Sequence, residues 1–171
     1  MSDMSDIMKV IFLDLDGVLA THNTKWADFH PDCVKALKKI LDNTSAVMVL
    51  SSCWRHGFLD RSTEDHFLVD SKDAIARLKE WFVRWGLPPE RLIDKTPDFY
   101  TKDPYAEFPS GHRGSEISLY LAKHPETECF VIIDDSNDIE PHEKFWVETS
   151  EPQGLTLTNA DQAIKILNNT P

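Results

Sequence analysis

Residues 9–18 read KVIFLDLDGV. The first five are an apolar run rich in branched side chains with no alternation, the pattern of a strand buried on both faces. The run turns acidic at Asp14 and Asp16, and Gly17 permits a sharp exit from the strand. Two more stretches repeat the arrangement. Residues 46–50 (AVMVL) lead into Ser51-Ser52-Cys53-Trp54-Arg55, and residues 130–133 (FVII) lead into Asp134-Asp135-Ser136-Asn137-Asp138. Residues 91–93 and 145–147 are weaker strand candidates.

Helical periods fall between these runs. Val34, Leu37 and Leu41 share one face behind Pro31, which suits a first helical position. Ile75, Leu78, Phe82 and Trp85 form a second stripe that Gly86 and Pro88 end. Ile117, Tyr120 and Leu121 mark a third helix. Ala160, Ala163, Ile164 and Leu167 mark a fourth, with Thr158 and Asp161 at capping-box spacing. Alternating strands and helices predict an α/β fold, a three-layer Rossmann-like sandwich with a mostly parallel sheet. The 171 residues suit one domain, 1–171, with a full core. Residues 96–114, TPDFYTKDPYAEFPSGHRG, hold three prolines and four aromatic residues without a period, and predict an irregular loop or insertion.

Composition narrows the functions. The formal charge of -11 argues against broad nonspecific nucleic-acid binding, which needs a positive surface. The opening MSDMSDIM has two aspartates and no basic residue, so no targeting signal or membrane span is expected. The three cysteines show no CxxC spacing and the seven histidines no zinc pattern, and a reducing cytoplasm is the expected compartment. No obligate protein partner is indicated.

In an open parallel sheet, ligands bind beyond the carboxyl ends of the strands, where all three polar clusters fall. Carboxylates two apart, Asp14 and Asp16, can share a side. With Asp134 and Asp135 they make an oxygen-rich set suited to Mg2+. Ser51 is the preferred hydroxyl donor to a phosphate oxygen, with Ser52 its competitor. Arg55 offers either a planar fork for phosphate or a surface salt bridge. Trp54 is expected to pack beneath its loop, Cys53 to be a buried thiol, and Asp138 to cap a turn. A cation should face the acids. Arg113, before a helix, is preferred over Lys102 in the irregular segment.

The set resembles the haloacid dehalogenase (HAD)-like phosphatase superfamily from residue 9 to residue 167. DLDGV, LSS, Arg113 and IIDD look like its four motifs. SSCWR, Thr96-Pro97, RGSEI, IIDD and the late GLT at 154–156 resemble most closely the HAD domain associated with RNA-repair proteins. A looser similarity is to the phosphatase half of phage polynucleotide kinase-phosphatase. The resemblance implies Asp14 as nucleophile, forming an aspartyl-phosphate, and Asp16 as acid and then base. Ser51 and Arg113 would hold the phosphoryl group. Asp14, the Asp16 carbonyl and Asp134 or Asp135 would hold Mg2+. Residues 18–45 and 56–112 leave no room for a large cap domain. The expected activity is a phosphomonoester phosphatase acting on nucleotide or nucleic-acid terminal phosphates. Phe99, Tyr100, Tyr105 and Phe108 could stack on bases, and Arg55, Lys102, Arg113 and His112 could form a positive mouth. The alternatives are a small-metabolite phosphatase or phosphotransferase, and a receiver-like phospho-acceptor domain.

Overall fold

The computed structural model describes residues 8–24, 28–60 and 67–169. The opening segment read above for targeting signals lies outside the described residues as far as residue 7. Among the described residues, no helix is long and apolar enough to cross a membrane.

Strand β1 (Met8–Leu13) pairs in parallel with β2 (Val47–Leu50) on one side and β6 (Thr127–Asp134) on the other. Outside these lie β5 (Leu92–Lys95) and β7 (Trp146–Glu148), also parallel. The sheet order is β5-β2-β1-β6-β7, and the continuous apolar reading of the central strands has the expected cause. Ile11, Leu13, Met48, Leu50, Val131 and Ile133 face one core, while Val10, Phe12, Val49 and Ile132 face another. Helices α1 (Pro31–Asn43), α2 (Ala74–Arg84) and α4 (Leu157–Asn168) cover the first face. Helix α3 (Arg113–Lys123) covers the second through Ile117 and Tyr120. The result is the three-layer α/β sandwich.

Local details follow from particular residues. Pro31 opens α1. After α2, Gly86 takes φ 65° and Leu87 N donates to Phe82 O at 2.8 Å, closing the helix end. The capping box of α4 is formed by Thr156 and Asn159, not by Thr158 and Asp161. The helix starts one turn earlier than its apolar stripe, and Asn159 supplies the reciprocal acceptor. One element was not anticipated: an antiparallel hairpin, β3 (Gly57–Leu59) with β4 (Leu68–Asp70), set just after a 3-10 turn at Cys53–His56. From residue 96 to residue 112 the chain has neither helix nor strand. Its base is tied by Gly111 N to Phe99 O at 3.0 Å and Thr101 N to Ser110 Oγ at 3.0 Å. Between β1 and β2 the described residues add one helix, α1, and between β2 and α3 two 3-10 turns (Cys53–His56 and Pro89–Arg91), the hairpin, α2, β5 and this loop.

Candidate active site

The carboxyl edge of the sheet carries the polar clusters in register. Just beyond the strands, Asp14 N donates to Ile133 O at 3.0 Å, Ser51 N to Leu13 O at 2.8 Å, and Thr149 N to Asp134 O at 3.1 Å. Asp14 and Asp134 are thus set on rigid backbone, one strand apart. With Asp135 they offer carboxylate oxygens all within 4.8 Å of one another. Asp14 and Asp134 are buried, while Asp135 and Asp16 are exposed at the mouth.

The turn after β1 is built to bring these acids together. Leu15 O accepts from the backbone N–H of Val18, Leu19 and Ala20. Gly17 has φ 70°, and a Cβ there would lie 2.2 Å from Asp135 Oδ2. Glycine is required both by the left-handed backbone and by the close approach of Asp135. The late segment 149–155 braces this turn: Thr149 Oγ1 donates to Gly17 O at 2.8 Å and Leu155 N to Val18 O at 2.9 Å.

The cation facing the acids is Arg113. Its Nε lies 3.0 Å from Asp134 Oδ2 and its Nη2 4.0 Å from Asp14 Oδ1. The first pair is close but not aligned as a hydrogen bond, so both atoms keep unused hydrogen-bonding capacity. Arg113 is fixed from below. Asp138 Oδ2 accepts from its backbone N–H at 3.1 Å. Gly114 packs so tightly that a Cβ would meet Glu140 O at 1.9 Å. Lys102, the rival, is exposed, and among the described residues its ammonium has no hydrogen-bond or ion-pair partner.

Glu116, which the sequence reading passed over inside RGSEI, is the hidden member of the cluster. It is 1% exposed, with Oε1 2.5 Å from Arg55 Nη2 and Oε2 3.8 Å from Arg113 Nη1. Arg55 also donates to Asp98 Oδ1 and to Ser52 O. Its fork is therefore engaged by protein groups rather than open to phosphate, and the pairing is buried rather than at the surface. Ser52 caps the 3-10 turn, its Oγ accepting from Trp54 N at 3.4 Å. Ser51 is fully buried, and its hydroxyl has no hydrogen-bond partner among the described residues. Trp54 does pack beneath its loop, stacked on Phe58 at 4.8 Å. It also reaches Asp16, Nε1 donating to Oδ2 at 2.9 Å. Cys53 is exposed, not buried, because the 3-10 turn directs its neighbours Trp54 and Arg55 inward.

The charges perturb one another. Burial raises the carboxyl pKa of Asp14, opposed first by the Arg113 charge. Burial also raises that of Asp134, and the Asp14 charge adds to the rise. Asp135 and Asp16 are raised by the surrounding protein, with Trp54's hydrogen bond opposing at Asp16. Burial raises Glu116 against the pull of Arg55 and then Arg113. Crowded carboxylates of raised pKa at a sheet edge are the electrostatic form of a cation site. Asp134 Oδ2, which accepts no hydrogen bond among the described residues, and the all-oxygen donor set fit a hard divalent ion.

The anticipated positive mouth is reduced. Arg55, Arg113 and His112 are buried beside acids, His112 Nε2 lying 3.4 Å from Glu140 Oε2. Phe108 stacks on His112 at 4.4 Å, so it packs the loop. Tyr100 and Tyr105 are 71% and 93% exposed.

A family model described as the HAD domain in Swiss Army Knife RNA repair proteins matches residues 10–160. No curated protein and no solved structure matches the chain.

Proposed function

This chain belongs to the family of HAD domains in Swiss Army Knife RNA repair proteins, a family of phosphatase type, and we propose that it is a magnesium-dependent phosphomonoesterase with Asp14 as nucleophile. The observation that carries the reading is the juxtaposition of Asp14, Asp134 and Asp135 within 4.8 Å under the guanidinium of Arg113. The same membership runs against the receiver-like alternative.

Asp14, Asp134, Asp135 and the backbone carbonyl of Asp16 would hold the ion. When bound, magnesium supplies charge neutralisation for the phosphoryl oxygens and the nucleophile. Asp14 attacks phosphorus in line and the ester oxygen leaves with a proton from Asp16. Asp16 then takes a proton from the water that hydrolyses the aspartyl-phosphate. Arg113 sits beside Asp14 and stabilises charge on the transferring group. The buried hydroxyl of Ser51, without a partner among the described residues, suits a donor to a phosphoryl oxygen. Arg55 holds Glu116 and acts through it, and Ser52 caps the turn that carries Trp54 and Arg55.

The substrate class we favour is a terminal phosphate on RNA or a nucleotide. The family's description supports it, as do exposed Tyr100 and Tyr105, since aromatic faces stack on bases with about 1–3 kcal/mol each. Lys102 is the exposed cation of that loop. The test is phosphate release with magnesium from oligonucleotides carrying a 3′- or 5′-phosphate, mononucleotides and sugar phosphates. Asp14→Asn should abolish release with the circular dichroism spectrum unchanged. Turnover by a folded Asp14→Asn protein would refute the nucleophile. A sugar phosphate with kcat/KM above every nucleotide and oligonucleotide would shift the reading to a metabolite phosphatase.

A further inference from the structure

We infer that Trp54 is a positioning residue for proton transfer: its indole N–H fixes the Asp16 carboxyl so that the proton is carried on Oδ1. The inference rests on the phosphatase reading above. Trp54 Nε1 donates to Asp16 Oδ2 at 2.9 Å across a separation of 38 residues. It is the one hydrogen bond to that carboxyl among the described residues.

The indole is held by aromatic rings on two sides. It stacks on Phe58 at 4.8 Å and 24°, and meets Trp81 edge-on at 5.6 Å. Phe58 and Trp81 also contact each other. Its backbone lies in the Cys53–His56 turn, capped by Ser52 at one end and by Gly57 N donating to Trp54 O at the other. Trp54 is 8% exposed, and the carboxyl it holds is exposed at the site mouth.

An indole nitrogen donates and cannot accept. The oxygen facing it is an acceptor in both ionisation states, so in the neutral acid Oδ2 serves as the carbonyl oxygen and Oδ1 carries the hydrogen. In the first step a bond forms from an Asp14 carboxylate oxygen to phosphorus and the bond from phosphorus to the ester oxygen breaks. The Oδ1 proton passes to that oxygen, which departs as a neutral alcohol. Asp16 is left as a carboxylate that the indole N–H stabilises. In the second step water attacks phosphorus, its proton returns to Asp16 and the Asp14 oxygen leaves as carboxylate, releasing inorganic phosphate. Freed from the indole, the carboxyl would rotate, and a proton aimed at solvent would not assist the leaving group.

The test is the dependence of rate on the leaving group. Trp54→Phe keeps an aromatic ring in the stack and deletes the donor. Nitrophenol departs readily as an anion, so nitrophenyl phosphate turnover should fall less than about threefold, whereas an alkyl or nucleoside monoester should fall about ten- to a hundredfold, part of the span of general acid catalysis. The ratio of the two rates in one preparation is independent of how much protein is folded. Benzothienylalanine at position 54, the same shape with sulfur in place of N–H, should reproduce the ratio if Trp54→Phe does not fold. An equal loss on all leaving groups, or none on any, overturns the positioning role and leaves the phosphatase reading intact. Undiminished turnover by Asp14→Asn would instead remove the reading on which the role depends.

Discussion

Glu116→Gln tests the buried charge relay beneath the site. Glu116 Oε1 is 2.5 Å from Arg55 and Oε2 3.8 Å from Arg113, and both guanidiniums are buried. At 3.8 Å, an effective dielectric of about 20 gives a gross attraction of about 4 kcal/mol. Desolvation offsets much of that attraction, and removing one partner of a buried pair typically costs about 3–5 kcal/mol. Arg55 keeps Asp98, and Arg113 keeps Asp134 and Asp14, so the lower end, about 3 kcal/mol, is expected. For a chain of this size that lowers Tm by about 6–12 °C. Arg113 also loses the carboxylate on its own helix that opposes the pull of the acids above it. A displacement on the order of 1 Å would cost up to about a hundredfold in kcat. The assay is thermal melting by circular dichroism, paired with nitrophenyl phosphate turnover at a temperature where both proteins are folded. A Tm within about 2 °C of wild type, or unchanged kcat in a destabilised variant, would refute the relay.

Asp16→Asn should lower kcat by about a hundred- to ten-thousandfold while leaving magnesium affinity near wild type, since a backbone carbonyl is its proposed ligand; titration calorimetry against kinetics separates the two. Gly17→Ala imposes a left-handed alanine, costing about 1–2 kcal/mol, and drives a Cβ into Asp135, so magnesium affinity should fall at least about tenfold; unchanged affinity would count against Asp135 as a ligand. In chelator, Asp134 has its pKa raised by burial and by Asp14, so the folded state keeps a proton that the unfolded chain releases. That stabilisation is complete below the ordinary carboxylate pKa and is lost as pH rises through the raised one. The melting temperature of wild type relative to Asp134→Asn should therefore fall between about pH 4 and about pH 8, and magnesium should restore it most at the higher pH.

Much of this was legible from residues alone. The strands β1, β2 and β6 are buried on both faces, so their apolar runs needed no partner to be recognised, and the polar clusters after them meet at one edge of the sheet. The family match across 10–160 agrees with the resemblance read from DLDGV, SSCWR and IIDD. The hairpin was missed because Gly57–Leu59 and Leu68–Asp70 are three residues each, too short for a period-2 pattern to register. Arg55 was left between phosphate and a salt bridge, and Glu116 was passed over, because their pairing is a contact spanning 61 residues. The spacing of Arg113 and Glu116 was a usable signal, since residues three apart on a helix are neighbours. Trp54 read correctly as packing, but its N–H to Asp16 is a property of two loops meeting and has no local signature.

The two faces of the sheet are unequal in depth, and the cation rides on the shallower one. Helix α1 is held by Cys33, Val34, Ala36, Leu37, Ile40 and Leu41, whereas α3 buries Ile117 and Tyr120 in its apolar layer with Leu121 partly buried beside them. Opening free energies differ across a native protein according to such anchoring. The carboxylates hang from the central strands, and Arg113 from a helix held by fewer apolar side chains and more by polar contacts such as Gly114 N to Asp138 O and Glu116 to Arg55. On the proposed phosphatase reading, warming should loosen the positive half of the site before the negative half, so turnover should be lost at a lower temperature than the circular dichroism of the fold.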